Sequence, residues 1–366
     1  MTVGFFSPMP PARTGVAEYA AALFQALARR GSVRLNDAGA DICLYHIGNN
    51  HLHRAIYEQA LSRSGVVVLH DAVLHHFLLG ALSEEEYIRE FAYNYGQWNS
   101  DTARGLWRNR ARSGVDAEYF RYPMLRRVVE RSKAVIVHNA AAARMVREQA
   151  PEARVVEIPH LFEAPASAPA SDVIRLRERL GIAPRTFLFG VFGHLRESKR
   201  LAAILRAFER LRAEGADMAL LIAGEFASPD LRRAMLPQLR GPRIVYTGYL
   251  GEPDFWTHAA AVDACINLRY PQAGETSGIA IRLMGIGKPV IATTGEDTGV
   301  FVNAGSIAID PGPAEEEMLA AAMIWLAENP GDAHDIGENA REYIARNHRP
   351  DQAAEQYWEL LSNARN

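Results

Sequence analysis

Cysteine is scarce in this chain: Cys43 and Cys265 are the two among 366 residues. Each lies inside an apolar, strand-like run far from the other, which reads as reduced core and argues against a disulfide framework or a thiolate metal site. An excess of one charge is lacking too. Against 43 Asp and Glu stand 40 Lys and Arg, a net charge of -3, so there is no electrostatic case for nucleic acid. No apolar run approaches the length of a membrane span, and no basic stretch followed by a long apolar one opens the chain. Histidines crowd one region, at His51, His53, His70, His75 and His76. No spacing among them is a metal pattern with a third ligand, so no metal is expected. His75 and His76 read as helix surface. Hydrophobic residues at 48% and charged ones at 23% are the mix of a folded, water-soluble protein, long enough for two domains of ordinary size. The expected location is the cytoplasm, with at most peripheral contact at the cytoplasmic face of a membrane.

What is present is an alternation of short apolar runs with helical patterns. Strands are predicted over residues 3–6, 41–47, 66–69, 134–137 and 154–158, with helices between them, the pattern of a doubly wound parallel sheet. In such a sheet ligands gather outside the carboxyl ends of strands. Gly15 stands at the first strand-to-helix turn, where backbone N–H groups can face a phosphate. Asn49 follows the second strand, and His70 and Asp71 follow the third. An imidazole at His70 can donate to a hydroxyl. Alternatively, Asp71 caps the helix carrying Val73, Leu74, Phe77 and Leu78, and His70 is a satisfied core residue. Helices are predicted over 84–98 and 117–131. Between them residues 99–114, with Trp107, Arg108, Arg110 and Arg112, read as a long loop: a solvated face, an acceptor lid or a contact with anionic lipid. Residues 159–172, rich in Pro, Ala and Ser, are the expected linker. The expected domains are 1–165 together with a terminal helix over 351–366, and 166–350.

The second half repeats the alternation and carries the most informative stretch, residues 274–292, GETSGIAIRLMGIGKPVIA. A strand over 264–266 leads into a loop holding Glu275. A helix is predicted from Ser277, its N-cap, and Gly287-Lys288-Pro289 hands over to a strand at 290–292. N–H groups at Thr276, Ser277 and Gly278, helped by the helix dipole, would face an anion. Glu275 would repel a phosphate and is suited to accepting hydrogen bonds from hydroxyls. Earlier in this half, the strand over 187–193 is followed by His194, Arg196 and Lys199, just before a helix over 201–212. A cation at a helix N-terminus is disfavoured unless an anion is present.

Together these motifs resemble the signature of the retaining nucleotide-sugar glycosyltransferases of family four (group 1), over nearly the whole chain. The resemblance implies an α/β GT-B fold: two Rossmann-like doubly wound domains facing a central cleft, with a C-terminal helix crossing back to the N-terminal domain. It implies transfer of a hexosyl-type sugar from a nucleotide-diphosphate sugar to an acceptor hydroxyl with retention, in bacterial-type glycan or glycoconjugate synthesis. The acceptor is a glycan, a lipid-linked molecule or a small molecule, and no cofactor beyond the donor substrate is implied. By this resemblance Glu275 and His70 hold the sugar and Lys199 the diphosphate, with Gly15, Thr276, Ser277 and Gly278 alongside. Gly248 and Tyr249 lie in the loop that reads the nucleobase by backbone groups, and Asp71 and Asn49 fall on the acceptor side. Two positions depart from the family pattern. His194 stands where the family has Arg, with Arg196 nearby as a substitute. The second Glu, which holds the ribose, is missing: counting back from Gly287 lands on Arg282 and forward from Glu275 on Leu283. An epimerase or hydrolase acting on a sugar nucleotide, or a non-catalytic GT-B protein that binds one, fits these departures as an alternative.

Overall fold

Runs of β-branched and other apolar residues with no polar alternation form strands covered on both faces, which is where parallel sheets occur. The computed structural model, which describes residues 1–165, 168–302 and 305–365, has two such sheets in two units. The first unit holds β1 (Thr2–Phe6), β2 (Ser32–Leu35), β3 (Ile42–Ile47), β4 (Val66–Leu69), β5 (Ala134–Val137) and β6 (Val155–Glu157). Their order is β2-β1-β3-β4-β5-β6, every pairing parallel. All residues of β3, β4 and β5 are buried. β2 falls outside the expected strands because it is a short edge strand whose Ser32, Arg34 and Leu35 are exposed, leaving no apolar pattern to read.

The second unit holds β7 (Phe187–Phe192), β8 (Met218–Ala223), β9 (Ile244–Gly248), β10 (Ala264–Asn267), β11 (Val290–Thr293) and β12 (Ile307–Ile309). Its order, β9-β8-β7-β10-β11-β12, is that of a dinucleotide-binding doubly wound sheet. Chain direction across the sheet reverses between β7 and β10. In the first unit the reversal falls between β1 and β3. These two switch points are where the connecting helices leave on opposite faces and open a crevice at the strand ends.

Two helical expectations are corrected. Residues 99–114 are not a loop: Ser100–Arg108 is a helix, because Ala103, Leu106 and Trp107 recur at helical spacing and pack on the core of the first unit. Residues 117–131 are not one helix. Ala117–Arg121 forms a 3-10 turn, Pro123 interrupts, Met124 takes φ +61°, and Arg126–Glu130 resumes. The preceding helix, Glu84–Tyr95, starts with a capping box between Ser83 and Glu86 and stops at Gly96 with φ +90°.

Residues 271–276 and 348–350, expected in the second domain, count with the first unit. The N–H of Ala72 donates to the Ala273 carbonyl (2.9 Å), and Asn139 Nδ2 donates to the Gly274 carbonyl (3.1 Å) and to Thr276 Oγ1 (2.8 Å). A Cβ on Gly274, φ +63°, would come within 2.8 Å of Ala72 Cβ, so only glycine lets this loop lie so close. Ala166 and Ser167 of the expected linker lie outside the described residues.

The helix Pro350–Ala364 also belongs to the first unit. Its Ala353, Ala354, Tyr357, Leu360 and Leu361 share a core with Tyr19, Leu23 and Leu27 of the helix Gly15–Ala28. At the centre of that contact the hydroxyls of Tyr19 and Tyr357 meet at 2.8 Å, both buried. A buried hydroxyl that loses its partner costs about 1–3 kcal/mol, whereas replacing both partners is close to neutral. Tyr357→Phe should therefore lower urea-unfolding stability by about that amount, and Tyr19→Phe/Tyr357→Phe should recover most of it. Additive losses in the double variant would show that the hydroxyl pair does not carry the effect.

Candidate functional site

In the second unit the polar groups collect at the carboxyl ends of β7, β10 and β11. β7 ends at Phe192, and Gly193, φ +87°, turns the chain away from the sheet. A Cβ on Gly224, just after β8, would sit 1.9 Å from the Gly193 carbonyl oxygen, so this approach needs glycine. Beyond the turn a 3-10 segment, Glu197–Lys199, points Lys199 back under the strand end, where Nζ donates to the Phe192 carbonyl. Lys199 is 6% exposed. Burial first, then the charges of Arg269 and Arg196, push its ammonium well below the usual lysine range. A buried ammonium crowded by two guanidiniums is a poor structural choice and a suitable anion site.

Arg269 follows β10. Its N–H donates to Thr293 Oγ1 at the end of β11 (2.8 Å), and the next N–H, of Tyr270, donates to the Ser198 carbonyl (2.8 Å). Ser277, 2% exposed, is the N-cap of the helix Gly278–Gly285. Its Oγ accepts from Ala280 N–H (3.2 Å), Asn267 Nδ2 (2.9 Å) and Arg269 Nη2 (3.2 Å). The positive end of this helix thus stands beside the cations; a Cβ on Gly193 would lie 3.1 Å from Ile279 Cγ1 and 3.3 Å from Lys199 Nζ. Of the other expected residues, His194 is exposed, with burial, then Arg196 and Lys199, lowering its pKa. Arg196 is half-buried at the head of the Glu197–Lys199 turn. Gly248 has φ +73° at the end of β9, and the ring of Tyr249 beside it is exposed. Arg282 is committed to the helix Glu252–Ala261: its guanidinium lies 4.0 Å and 4.3 Å over the rings of Phe255 and Trp256 and pairs with Glu252 at 2.5 Å.

Sequence reading missed Arg269 and Asp297. Asp297 is 1% exposed, and burial pushes its pKa up to about 6 against the charge of Arg269 and nearby N–H dipoles. Neither belongs to a motif, so only the strand-end geometry reveals them.

In the first unit the strand ends gather histidines. His46 in β3, His70 after β4, His138 after β5 and His160 after β6 surround Tyr19, whose ring lies 6.0, 5.0, 5.1 and 4.5 Å from theirs. His70 Nε2 and His46 Nδ1 share a hydrogen bond of 3.0 Å. Nδ1–H of His138 donates to the Ile158 carbonyl (2.8 Å), which fixes its tautomer and leaves Nε2 as an acceptor in the cluster. His53 donates likewise to the His46 carbonyl (2.9 Å), and His348 to that of His160 (2.5 Å). Among the described residues no group of three His, Cys, Asp or Glu side chains is arranged to hold a metal ion.

The remaining expected residues of this unit are tied into its loops. Asp71 does not cap a helix; Oδ2 accepts from the Asn49 N–H (2.8 Å). Asn49 Oδ1 accepts from the Phe77 N–H (2.7 Å), so Asn49 is the cap that the helix His75–Ala81 uses, from across the loop. Gly15 is exposed in the first turn of its helix, which Thr14 caps. Glu275 is half-buried in the loop held by Asn139. His75 is not on a helix surface: it is buried, donating to the Tyr122 carbonyl (3.0 Å) and accepting from Tyr87 Oη (2.7 Å). His76 is half-buried and donates to the Ser113 carbonyl (2.9 Å).

Burial is the first cause lowering the pKa of His46, His53, His70, His138, His160 and His348, which keeps them neutral when folded; Asp71 opposes this at His53 alone. An unfolded histidine takes a proton near pH 6.5, so these groups contribute stability that is complete above that pH and lost as pH falls towards the folded values, about 4 for His138. Asp297, raised to about 6, runs the other way and cannot offset six histidines. Urea-unfolding stability should therefore fall steeply from pH 7 to pH 5, and less steeply in His138→Gln. A flat profile over that range would contradict neutral burial of the cluster.

Residues 186–329, which lie in the second unit except for 271–276, match the model of the family Glycosyl transferases group 1. The chain is 32% identical over 159 residues to a glycogen synthase of Rhodopseudomonas palustris strain BisA53, covering 41% of this chain and 32% of that protein. A second, of strain HaA2, is 30% identical over 162 residues, 42% of this chain and 33% of that protein. The chain thus spans about a third of the length of these curated relatives. Among solved structures, sucrose-phosphate synthase from Thermosynechococcus elongatus matches with a TM-score of 0.72 at 15% identity, over 99% of this chain and 98% of that one. Anabaena HepE in complex with UDP and glucose matches with a TM-score of 0.72 at 16% identity, over 99% of this chain and 100% of that one. Two parallel six-stranded sheets with flanking helices are the GT-B fold of these proteins, and within that fold residues 186–329 are similar to the glycosyl transferases group 1 family.

Proposed function

We propose that the protein transfers a sugar from a nucleoside-diphosphate sugar to an acceptor hydroxyl, with retention of anomeric configuration. The observation that carries this reading is the buried ammonium of Lys199, crowded by Arg269 and Arg196 at the β7 and β10 strand ends beside a helix N-terminus, inside the residues that match the family. In this reading the diphosphate binds at those cations. Positive charge fixed in advance stabilises the leaving diphosphate as the glycosidic oxygen departs, the main electrostatic need of the reaction. Tyr249 and the Gly248 turn receive the nucleobase. Glu275 accepts from sugar hydroxyls, and His70 donates to one from Nδ1–H while its Nε2 accepts from His46 Nδ1–H. The leaving diphosphate oxygen takes the acceptor proton on the same face. Asn49 and Asp71 act by shaping the loop after β3, because their oxygens are engaged there.

For the acceptor, Trp98, 85% exposed in the turn Gln97–Asn99 that leads into the helix Ser100–Arg108, favours contact with a lipid-linked molecule at an anionic surface. Co-sedimentation with phosphatidylserine vesicles, reduced in Trp98→Ala, is expected; no binding would restrict the acceptor to glycans or small molecules free in water.

Lys199 offers the sharpest test. An unpaired buried charge costs stability, and an apolar side chain of similar volume often relieves that cost. Lys199→Met should leave the melting temperature unchanged or raise it, while sugar transfer from the preferred donor falls by roughly 100-fold or more. Near-normal transfer by this variant would remove the reading. Binding of nucleoside-diphosphate sugars by the wild-type protein with neither transfer nor hydrolysis would point instead to the non-catalytic GT-B alternative, and sugar release or isomerisation without acceptor to the hydrolase or epimerase.

A further inference from the structure

Lys199 stands where the family pattern puts a cation at the β7/β10 switch point, but position 194 does not supply one. Position 194 carries an exposed histidine whose pKa is lowered by burial and by two cations, so it is neutral near pH 7. Arg269 enters the same place from the other side of the switch point. Three hydrogen bonds set it there: its own N–H to Thr293 Oγ1 at 2.8 Å, the Tyr270 N–H to the Ser198 carbonyl at 2.8 Å, and its Nη2 to Ser277 Oγ at 3.2 Å. The second of these zips the loop after β10 to the turn that carries Lys199. The third brings the guanidinium to the cap of the helix Gly278–Gly285. Among the charges acting on Lys199, Arg269 is the first to oppose its protonation.

Two like charges at a buried strand end raise each other's cost. Asp297, 1% exposed, lies within the influence of Arg269, and an internal carboxylate is costly unless it answers a charge or N–H donors. The surroundings are therefore arranged around the guanidinium. A guanidinium presents a rigid fork of donors that matches two phosphate oxygens at once, which an ammonium cannot do.

We infer that Arg269 is a phosphate-binding residue of this chain, supplying with Lys199 the grip on the diphosphate that position 194 does not. The inference rests on the second unit being a nucleoside-diphosphate-sugar site. Lys199 then meets the diphosphate as a point charge from beneath the β7 end, and Arg269 as a fork from the β10 end. Neutral His194 contributes at most a single hydrogen bond.

Isothermal titration of the full chain with UDP, GDP and ADP, and with the nucleosides uridine, guanosine and adenosine, tests this. Removing a charge-assisted hydrogen bond costs about tenfold or more in affinity. Arg269→Gln should weaken the tightest diphosphate by at least that factor while leaving the corresponding nucleoside's affinity within about twofold, because the lost contact reaches only phosphate. Arg269→Lys should fall between, keeping charge without the fork, and His194→Gln should lose less than Arg269→Gln. The salt dependence of diphosphate affinity should become shallower in Arg269→Gln. Equal diphosphate binding by Arg269→Gln and wild type, equal losses for diphosphate and nucleoside, or a larger loss in His194→Gln would each overturn the inference and leave the proposed function standing. Absence of binding of all three diphosphates to the wild-type protein would overturn both. Melting temperatures of the variants separate loss of contact from loss of fold, and Arg269→Lys, which retains a cation, supplies the comparison if Arg269→Gln is unstable.

Discussion

A parallel sheet covered by helices on both faces can offer a ligand only the ends of its strands. That constraint governs what each unit of this protein can do. Within the second unit, β7 and β10 are neighbours whose connections leave in opposite directions, so the loops that follow them must part. The Lys199 turn follows one strand and Arg269 the other, and the Ser198–Tyr270 hydrogen bond joins the two loops just where the sheet opens. Moving either strand in the order would separate the cations.

The same unit accepts an evident conflict at this place. Its strands and helices are consistent from local propensity to core packing, whereas the strand ends bury an ammonium, a half-buried guanidinium and a carboxylate. Natural sequences break their own rules mainly where function demands it. The GT-B fold by itself would permit many chemistries. The cations gathered at the ends of β7 and β10 beside a helix N-terminus are what the proposed diphosphate site rests on.

The first unit resolves its polar strand ends differently. Four histidines from four successive strands enclose Tyr19, and two carbonyl bonds, His138 to Ile158 and His160 to Leu161, set the tautomers of two of their rings. Tyr19 is held in turn by Tyr357 of the helix Pro350–Ala364, so the C-terminal residues reach the chemistry of the first unit through one hydroxyl pair. Asp71 and Asn49 spend their hydrogen-bonding capacity on neighbouring N–H groups. The polar residues here therefore divide into those that shape loops and a histidine cluster with uncommitted nitrogen, at His46 and His138, facing inward.

The alternation of apolar runs and helices, the Ser277 cap, the glycine turns and the place of Lys199 were legible in the sequence, because each depends on neighbours a few residues away. So was the resemblance in the second unit, whose motifs are contiguous. The helix Ser100–Arg108 was hidden by its arginines, and β2 by its exposure at a sheet edge. What tertiary structure alone decided is which distant residues meet. Arg269 reaches Lys199 because β10 lies beside β7, although 70 positions separate them in the chain. His46, His138 and His160 join His70 only because four strands end on one side of a sheet. Arg282 packs on the helix Glu252–Ala261 because Phe255 and Trp256 offer it two aromatic faces. Periodicity and turn chemistry are local and can be read from sequence, whereas strand order sets long-range contacts through hydrogen bonds that no short stretch of sequence encodes.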